Sequence, residues 1–271
     1  MRRLIVSADD LGLHPGINAG VLRGHLEGIV TSASLCPNGA AFEDAVQVLR
    51  GAPDLDVGVH LTLVGESATL PAERLPTLAP RGRLPAHFTA LFLRLGLRRV
   101  RASEIEEEMS AQVARARDAG LRVSHLDSHQ HVHLHPAVLP IVLRVARRFG
   151  IGAVRASRRL SAPRSLRSAL LTLASRAGAR RLREAQVRTP DALVGIAETG
   201  RLDEARLLAL VAALSEGTSE IVCHPGAGDL AIAATYGWGF RWDAEAAALT
   251  SAAVREAVRR EGVQLITYRD L

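Results

Sequence analysis

The chain has 271 residues, of which 48% are hydrophobic and 23% charged, a globular composition long enough to bury a substantial core. Its net charge is +6, yet all 34 basic residues are arginine and aromatics make up only 3%, which argues against the basic patch with stacking rings that nucleic-acid binding needs. No stretch approaches the roughly 18 apolar residues that cross a bilayer.

Arg3 to Ala8 is a short apolar run of strand type. It stops at Asp9-Asp10, too short for the core of a secretory signal, so a cytoplasmic location is expected. A turn-rich loop from Asp9 to Gly16 leads into a helix over Ile17 to Glu27, in which Asn18 reads as solvated. Ile29 to Cys36 is a second strand, Pro37-Asn-Gly39 its exit, and Ala40 to Arg50 a helix. Asp56 to Leu63 is a third strand, with His60 and Thr62 on one face and Val57, Val59, Leu61 and Leu63 on the other. After a proline-rich connection from Pro71 to Pro85, Phe88, Leu91, Phe92 and Leu95 recur at helical spacing. Ser103 with Glu106 has the form of a capping box for a helix running to Gly120.

Val123 to Asp127 is the next strand, Pro136 to Phe149 the next helix, and Ile151 to Arg155 a fifth strand whose terminal arginine reads as a substrate clamp or a surface charge. From Arg155 to Arg188 the chain is dense in arginine, carries one acid, Glu184, and places Leu166, Leu170, Leu173 and Ala177 at helical spacing. Ala192 to Ala197, Glu220 to His224 and Gln264 to Thr267 are further strands, separated by helices at Asp203 to Ser215 and Asp243 to Glu261. Cys36 and Cys223 fit small buried residues in a reducing compartment and form no disulfide framework.

Strands alternating with helices argue for a mainly parallel sheet, and about eight strand signals in one domain over residues 1–271 favour a (β/α) barrel. Asp9 and Asp10, His60, Asp127 and His129, and His224 each lie at or just beyond the C-terminal end of a predicted strand. In a barrel those ends gather around one mouth, where active sites are built.

The densest signal is Val123 to Pro136, where His125, His129, His131, His133 and His135 account for five of the ten histidines. With Asp127 they fall on alternate residues, so in extended chain they share a face. The strand is expected to end near Asp127 and the remaining histidines to turn across the mouth, leaving one or two of them for the same ion. Aspartate with two histidines forms a three-donor set with an open position, as in catalytic zinc sites. Zinc or another transition metal is expected over magnesium, which prefers more oxygen donors. A neighbouring carboxylate such as Asp9 is placed to accept a proton from water, and His224 to return one to a leaving group. That is the chemistry of acyl or phosphoryl hydrolysis.

The motifs Ala8-Asp-Asp-Leu-Gly-Leu13, Gly28-Ile-Val-Thr-Ser-Ala33, Asn38-Gly39, Gly58-Val-His-Leu61, His125-Leu-Asp-Ser-His-Gln-His-Val-His133, Cys223-His-Pro225 and Tyr268-Arg-Asp270 resemble the YdjC-like carbohydrate deacetylases along nearly the whole chain. The resemblance implies a distorted (β/α) barrel and metal-dependent removal of an N-acetyl group from a sugar. It implies Asp10, His60 and His129 as metal ligands, Asp9 as catalytic base and His224 as acid, with one divalent ion, zinc favoured and magnesium the alternative. Tyr236-Gly-Trp-Gly-Phe-Arg-Trp242 and Leu265 to Leu271 are most similar to the hopanoid-associated branch. That likeness implies an N-acetylglucosaminyl hopanoid substrate; a substrate with so large an apolar tail calls for peripheral contact with the inner face of the membrane, and the wider family likeness implies a homodimer. Chito-oligosaccharide deacetylation is the alternative, and a metallophosphoesterase a more distant one.

Overall fold

A computed structural model of the chain describes residues 1–156, 159–160, 178 and 180–271. Among these residues nine strands form one sheet: β1 (Arg2–Leu11), β2 (Ser32–Leu35), β3 (Asp56–Leu61), β4 (Val123–Ser128), β5 (Ala153–Val154), β6 (Arg159–Leu160), β7 (Ala192–Val194), β8 (Gly217–Cys223) and β9 (Val263–Leu265). Their order is β5-β4-β3-β2-β1-β8-β7-β6, with β9 beside the start of β1, and the strands pair in parallel throughout. This curled parallel sheet is the distorted (β/α) barrel expected from the alternation of elements. Parallel strands covered on both faces need continuous apolar sequence, and β1, β3 and β8 supply it: Leu4, Ile5, Val6, Val59, Leu61 and Ile221 are fully buried.

Helices among the described residues include α1 (Pro15–Leu26), α2 (Phe42–Gly51), α3 (Phe88–Gly96), α4 (Ala102–Asp118), α5 (Leu139–Arg148), α6 (Glu204–Ala212), α7 (Asp229–Thr235), α8 (Trp242–Leu249) and α9 (Ala252–Arg260). Local chemistry moves several boundaries from their expected places. The helix expected from Asp243 to Glu261 is two helices, because the Ser251 side chain accepts hydrogen bonds from the Ala253 and Val254 backbone N–H groups and starts α9 afresh. No capping box forms at Ser103, which lies inside the first turn of α4; Glu106 instead accepts from Arg144 and ties α4 to α5. Asn18 is not solvated: fully buried, it accepts from Gly12 N–H and donates to the Ala41 carbonyl and the Asp44 carboxylate, joining the β1 exit to α2.

On α3, Leu91 is fully buried and Phe88, Phe92 and Leu95 pack against the core, so the apolar stripe read from the sequence faces inward. The exposed apolar side chains there are Leu93 and Leu97. The stripe of Leu166, Leu170, Leu173 and Ala177 lies outside the described residues. No helix among the described residues is long and apolar enough to cross a membrane. A single turn at Tyr268–Asp270 tucks Tyr268 fully beneath the sheet, stacked on His125 with ring centroids 3.7 Å apart.

Candidate metal centre and active-site cavity

The pairing of β1 with β2 shifts register between Ala8 and Leu11, and within that irregularity Asp10 takes a left-handed φ of 68°. Such a conformation is sparsely populated for a residue with a side chain and gathers at functional positions. Here it turns two consecutive acids toward the same cavity, whereas in a regular strand they would point to opposite faces. Next along the sheet, the β3–β4 register sets His60 beside Asp127. His60 Nδ1 lies 2.9 Å from Asp127 Oδ1. Since an ionised carboxylate only accepts, Nδ1 donates and Nε2 faces the cavity, the arrangement that orients histidine ligands.

Gly58 explains part of the Gly-Val-His motif. A Cβ there would sit 2.4 Å from the His125 ring, so only glycine lets that ring cross β3.

The histidine-rich tract does not share one face. β4 ends at Ser128, and His129 to Leu134 form a tight turn in which Gln130 and His131 both take φ of 56°. His129 is thereby delivered to Asp10, with Nδ1 2.9 Å from Oδ1. His125 is buried under Tyr268, and His133 hydrogen-bonds Ser128 and the Arg155 carbonyl. His135 lies against Phe92, away from the donors.

Asp10, His60 and His129 each offer a donor atom, all within 4.8 Å of one another and all buried, so together they could hold a metal ion. The electrostatics fit a cation. Burial alone would lower the pKa of His60, but Asp127, Asp9 and Asp10 outweigh it and raise it to about 9. Burial likewise raises the Asp10 carboxyl, yet His129, His60 and His224 together hold it well below the usual carboxylate range. The donors open into a cavity of about 640 Å³ that is also lined by Asp9, His224, Trp238 and Phe240. His224 follows β8; its backbone N–H donates to Glu245 over 2.6 Å, and its Nδ1 is buried with no hydrogen-bond partner among the described residues.

Beneath the donors lies Arg155, neither a substrate clamp nor a surface charge but a fully buried hub. Nη1 and Nη2 each lie 2.7 Å from an oxygen of Asp9, Nε lies 2.8 Å from Glu220, and Nη1 also pairs with Asp127. Tyr268 donates its hydroxyl to Glu220 over 2.6 Å. Burial lifts the Glu220 carboxyl to about 7 against the opposing pull of Arg155 and Tyr268.

A profile of YdjC-like proteins matches residues 3–260. The chain belongs to the YdjC-like family. Two relatives align with this YdjC-like protein along almost all of both chains. A carbohydrate deacetylase from Geobacillus stearothermophilus is 33% identical over 99% of this chain and 98% of its own. A chitooligosaccharide deacetylase from Klebsiella pneumoniae is 35% identical over 100% and 99%. Among solved structures, an Enterococcus faecalis V583 protein proposed for cellobiose-phosphate cleavage superposes with a TM-score of 0.82 at 29% identity, covering 99% of this chain and 98% of its own.

Of the residues singled out from the YdjC-like sequence, the structure brings Asp9, Asp10, His60, His129 and His224 to one cavity. Glu220 and Glu245 were not singled out. The available signal was a charged residue inside an apolar strand for Glu220, and an acid in an alanine-rich helix for Glu245.

Proposed function

We propose that the protein is a carbohydrate deacetylase, a hydrolase that cleaves the N-acetyl amide of an amino sugar at a one-ion centre, with residues 1–271 acting as one domain. The observation that carries this reading is the meeting, in one cavity, of the donor set Asp10, His60 and His129 with a further acid, Asp9, and a further histidine, His224. The deacetylase names of its two full-length relatives support it.

Two imidazoles and one carboxylate suit zinc better than magnesium. When bound, the ion supplies Lewis acidity that activates water and polarises the amide carbonyl. Asp9 accepts the proton that the attacking water loses. Arg155 fixes the plane of that carboxylate by holding both oxygens. His224 protonates the departing amine; the hydrogen bond from its backbone to Glu245 anchors it. Trp238, half-exposed with its ring centroid 5.3 Å from that of His129, offers a flat apolar face to the sugar.

The sugar is the N-acetylglucosaminyl headgroup of a hopanoid lipid, and the product the glucosaminyl lipid. Exposed apolar side chains at Leu93 and Leu97, next to exposed Arg98 and Arg99, support this. They lie on and just beyond α3, whose first residue, Phe88, lines the cavity. Basic apolar surfaces dock on anionic lipid, each charge contributing about 1 kcal/mol. The protein then works from the cytoplasm at the inner face of the membrane, as a homodimer. Deacetylation of soluble chito-oligosaccharides is a second reading, favoured by the Klebsiella pneumoniae relative.

Sedimentation with anionic liposomes, combined with acetate release from a glycolipid and from N-acetylglucosamine oligomers, tests both levels. Salt-sensitive liposome binding is expected, with Leu93→Ser and Leu97→Ser lowering glycolipid turnover more than oligomer turnover. Absence of liposome binding with fast oligomer turnover would favour the second reading. If no acetylated sugar released acetate, the deacetylase reading itself would fail.

A further inference from the structure

Among the described residues, the buried polar groups offer two places for a cation, not one. Besides Asp10, His60 and His129, a second group of Asp9, His60 and Asp127 also brings donor atoms within 4.8 Å of one another. The two groups share His60, and that ring cannot serve both: Nδ1 is committed to Asp127 at 2.9 Å, while Nε2 lies 3.5 Å from Asp10.

What distinguishes the groups is Arg155. Its guanidinium binds both carboxylates of the second group, Asp9 through two bonds of 2.7 Å and Asp127 through Nη1. Its Nε reaches a third carboxylate, Glu220, at 2.8 Å, and Nη2 donates to Ser7 at 2.9 Å. Arg155 and the three carboxylates are at most 2% exposed. Buried carboxylates this close together need a positive partner, and guanidinium is a permanent one. Its planar fork also fixes the carboxylate it grips, as a spherical ion with exchangeable ligands does not.

We propose that the Arg155 guanidinium takes the place of a second metal ion: it limits the centre to one ion and holds the Asp9 carboxylate at a fixed orientation beside it. Arg155 is thus a positioning residue that acts through Asp9. This rests on the reading of Asp10, His60 and His129 as ligands. It also separates the protein from two-metal phosphoesterases, whose ions lie roughly 3.5 to 4 Å apart and flank the reacting phosphate.

The test counts ions and splits the kinetics. Full-length protein is stripped with chelator, reloaded with excess zinc, desalted and assayed for metal per chain. One ion per wild-type chain is expected. Two ions would overturn the inference and leave the ligand reading standing, whereas no ion would overturn the ligand reading and the inference with it. Arg155→Lys keeps the charge but loses the fork. It is expected to hold one ion and to lower kcat on an acetylated amino sugar roughly 10- to 100-fold, as small misplacements of a reacting group do, with KM within about two-fold. Unchanged kcat in folded, metal-loaded Arg155→Lys would overturn the positioning role. The wild-type count stands as a test whether or not the variant folds.

Discussion

Asp10, His60 and His129 converge on a point open to the cavity, whereas Asp9, Asp127 and Glu220 close around an arginine. Both clusters bury negative charge, and each must be balanced by a cation. In the lower cluster the cation is covalently part of the chain and cannot be exchanged. The upper one presents lone pairs to whatever enters the cavity. A site for chemistry and its rigid support are thus built from the same residue types, separated by where the positive charge comes from.

His60 is a donor of the upper cluster and hydrogen-bonds Asp127 of the lower one, so His60→Ala should have the largest effect, with loss of most bound metal and nearly all turnover, since a three-donor site has no ligand to spare. Metal analysis beside acetate release checks this; a fully active variant would end the ligand assignment. Asp9→Asn should separate the clusters. It leaves the three donors intact, so metal content should hold while the rate falls by roughly 10²- to 10⁴-fold, the usual range for a general base. Lost metal would mean that Asp9 and Asp10 exchange roles. Asp127→Asn weakens the support of His60 and one of the ion pairs of Arg155 while leaving the three donors in place, and should cost about 10- to 100-fold in metal affinity or activity, read by competition with a chromogenic chelator.

The smallest effect sharpens the lower cluster through pH. Glu220 faces Arg155 and Tyr268, with Asp9 and Asp127 nearby, and burial lifts its carboxyl from 4.5 to about 7. A carboxyl that keeps its proton longer when folded contributes stability fully present below about 4.5 and lost as pH rises through about 7. Glu220→Gln should flatten that part of the stability curve, seen as a smaller shift in urea midpoint between pH 5 and pH 7.5 than in wild type. An equal shift in both proteins would place the proton elsewhere.

The alternation of elements made the parallel sheet legible in the sequence, and the placing of polar residues at strand ends made the cavity legible, because parallel strands bring those ends together whatever the loops do. Asp9, Asp10, His60, His129 and His224 could be picked out for that reason. Arg155 could be noticed at a strand end but not read as a buried hub, since nothing local shows that Asp9, Asp127 and Glu220 reach it from β1, β4 and β8. The end of the strand near Asp127 and the turn of the later histidines were legible too; what the spacing does not show is the means, two consecutive left-handed residues, Gln130 and His131, that leave His129 alone of the tract among the donors. Asn18 was misread because its partners, Gly12, Ala41 and Asp44, come from other turns of the chain.

The neighbours of β1 have a consequence for how the enzyme is made. Ser7 and Ala8, which lead into the two acids, pair with Val222 and Cys223, and Arg2 to Leu4 pair with Val263 to Leu265. More than 200 residues separate β1 from β8. β2 follows β1 closely and covers one of its edges, but at a synthesis rate of roughly 5–20 residues per second the other edge waits on the order of ten to forty seconds for β8. Until then an apolar strand with unpaired backbone groups stands open to other chains. The hydrolase therefore matures only late in synthesis, and its yield in a cell should depend on whatever shields that strand in the interval.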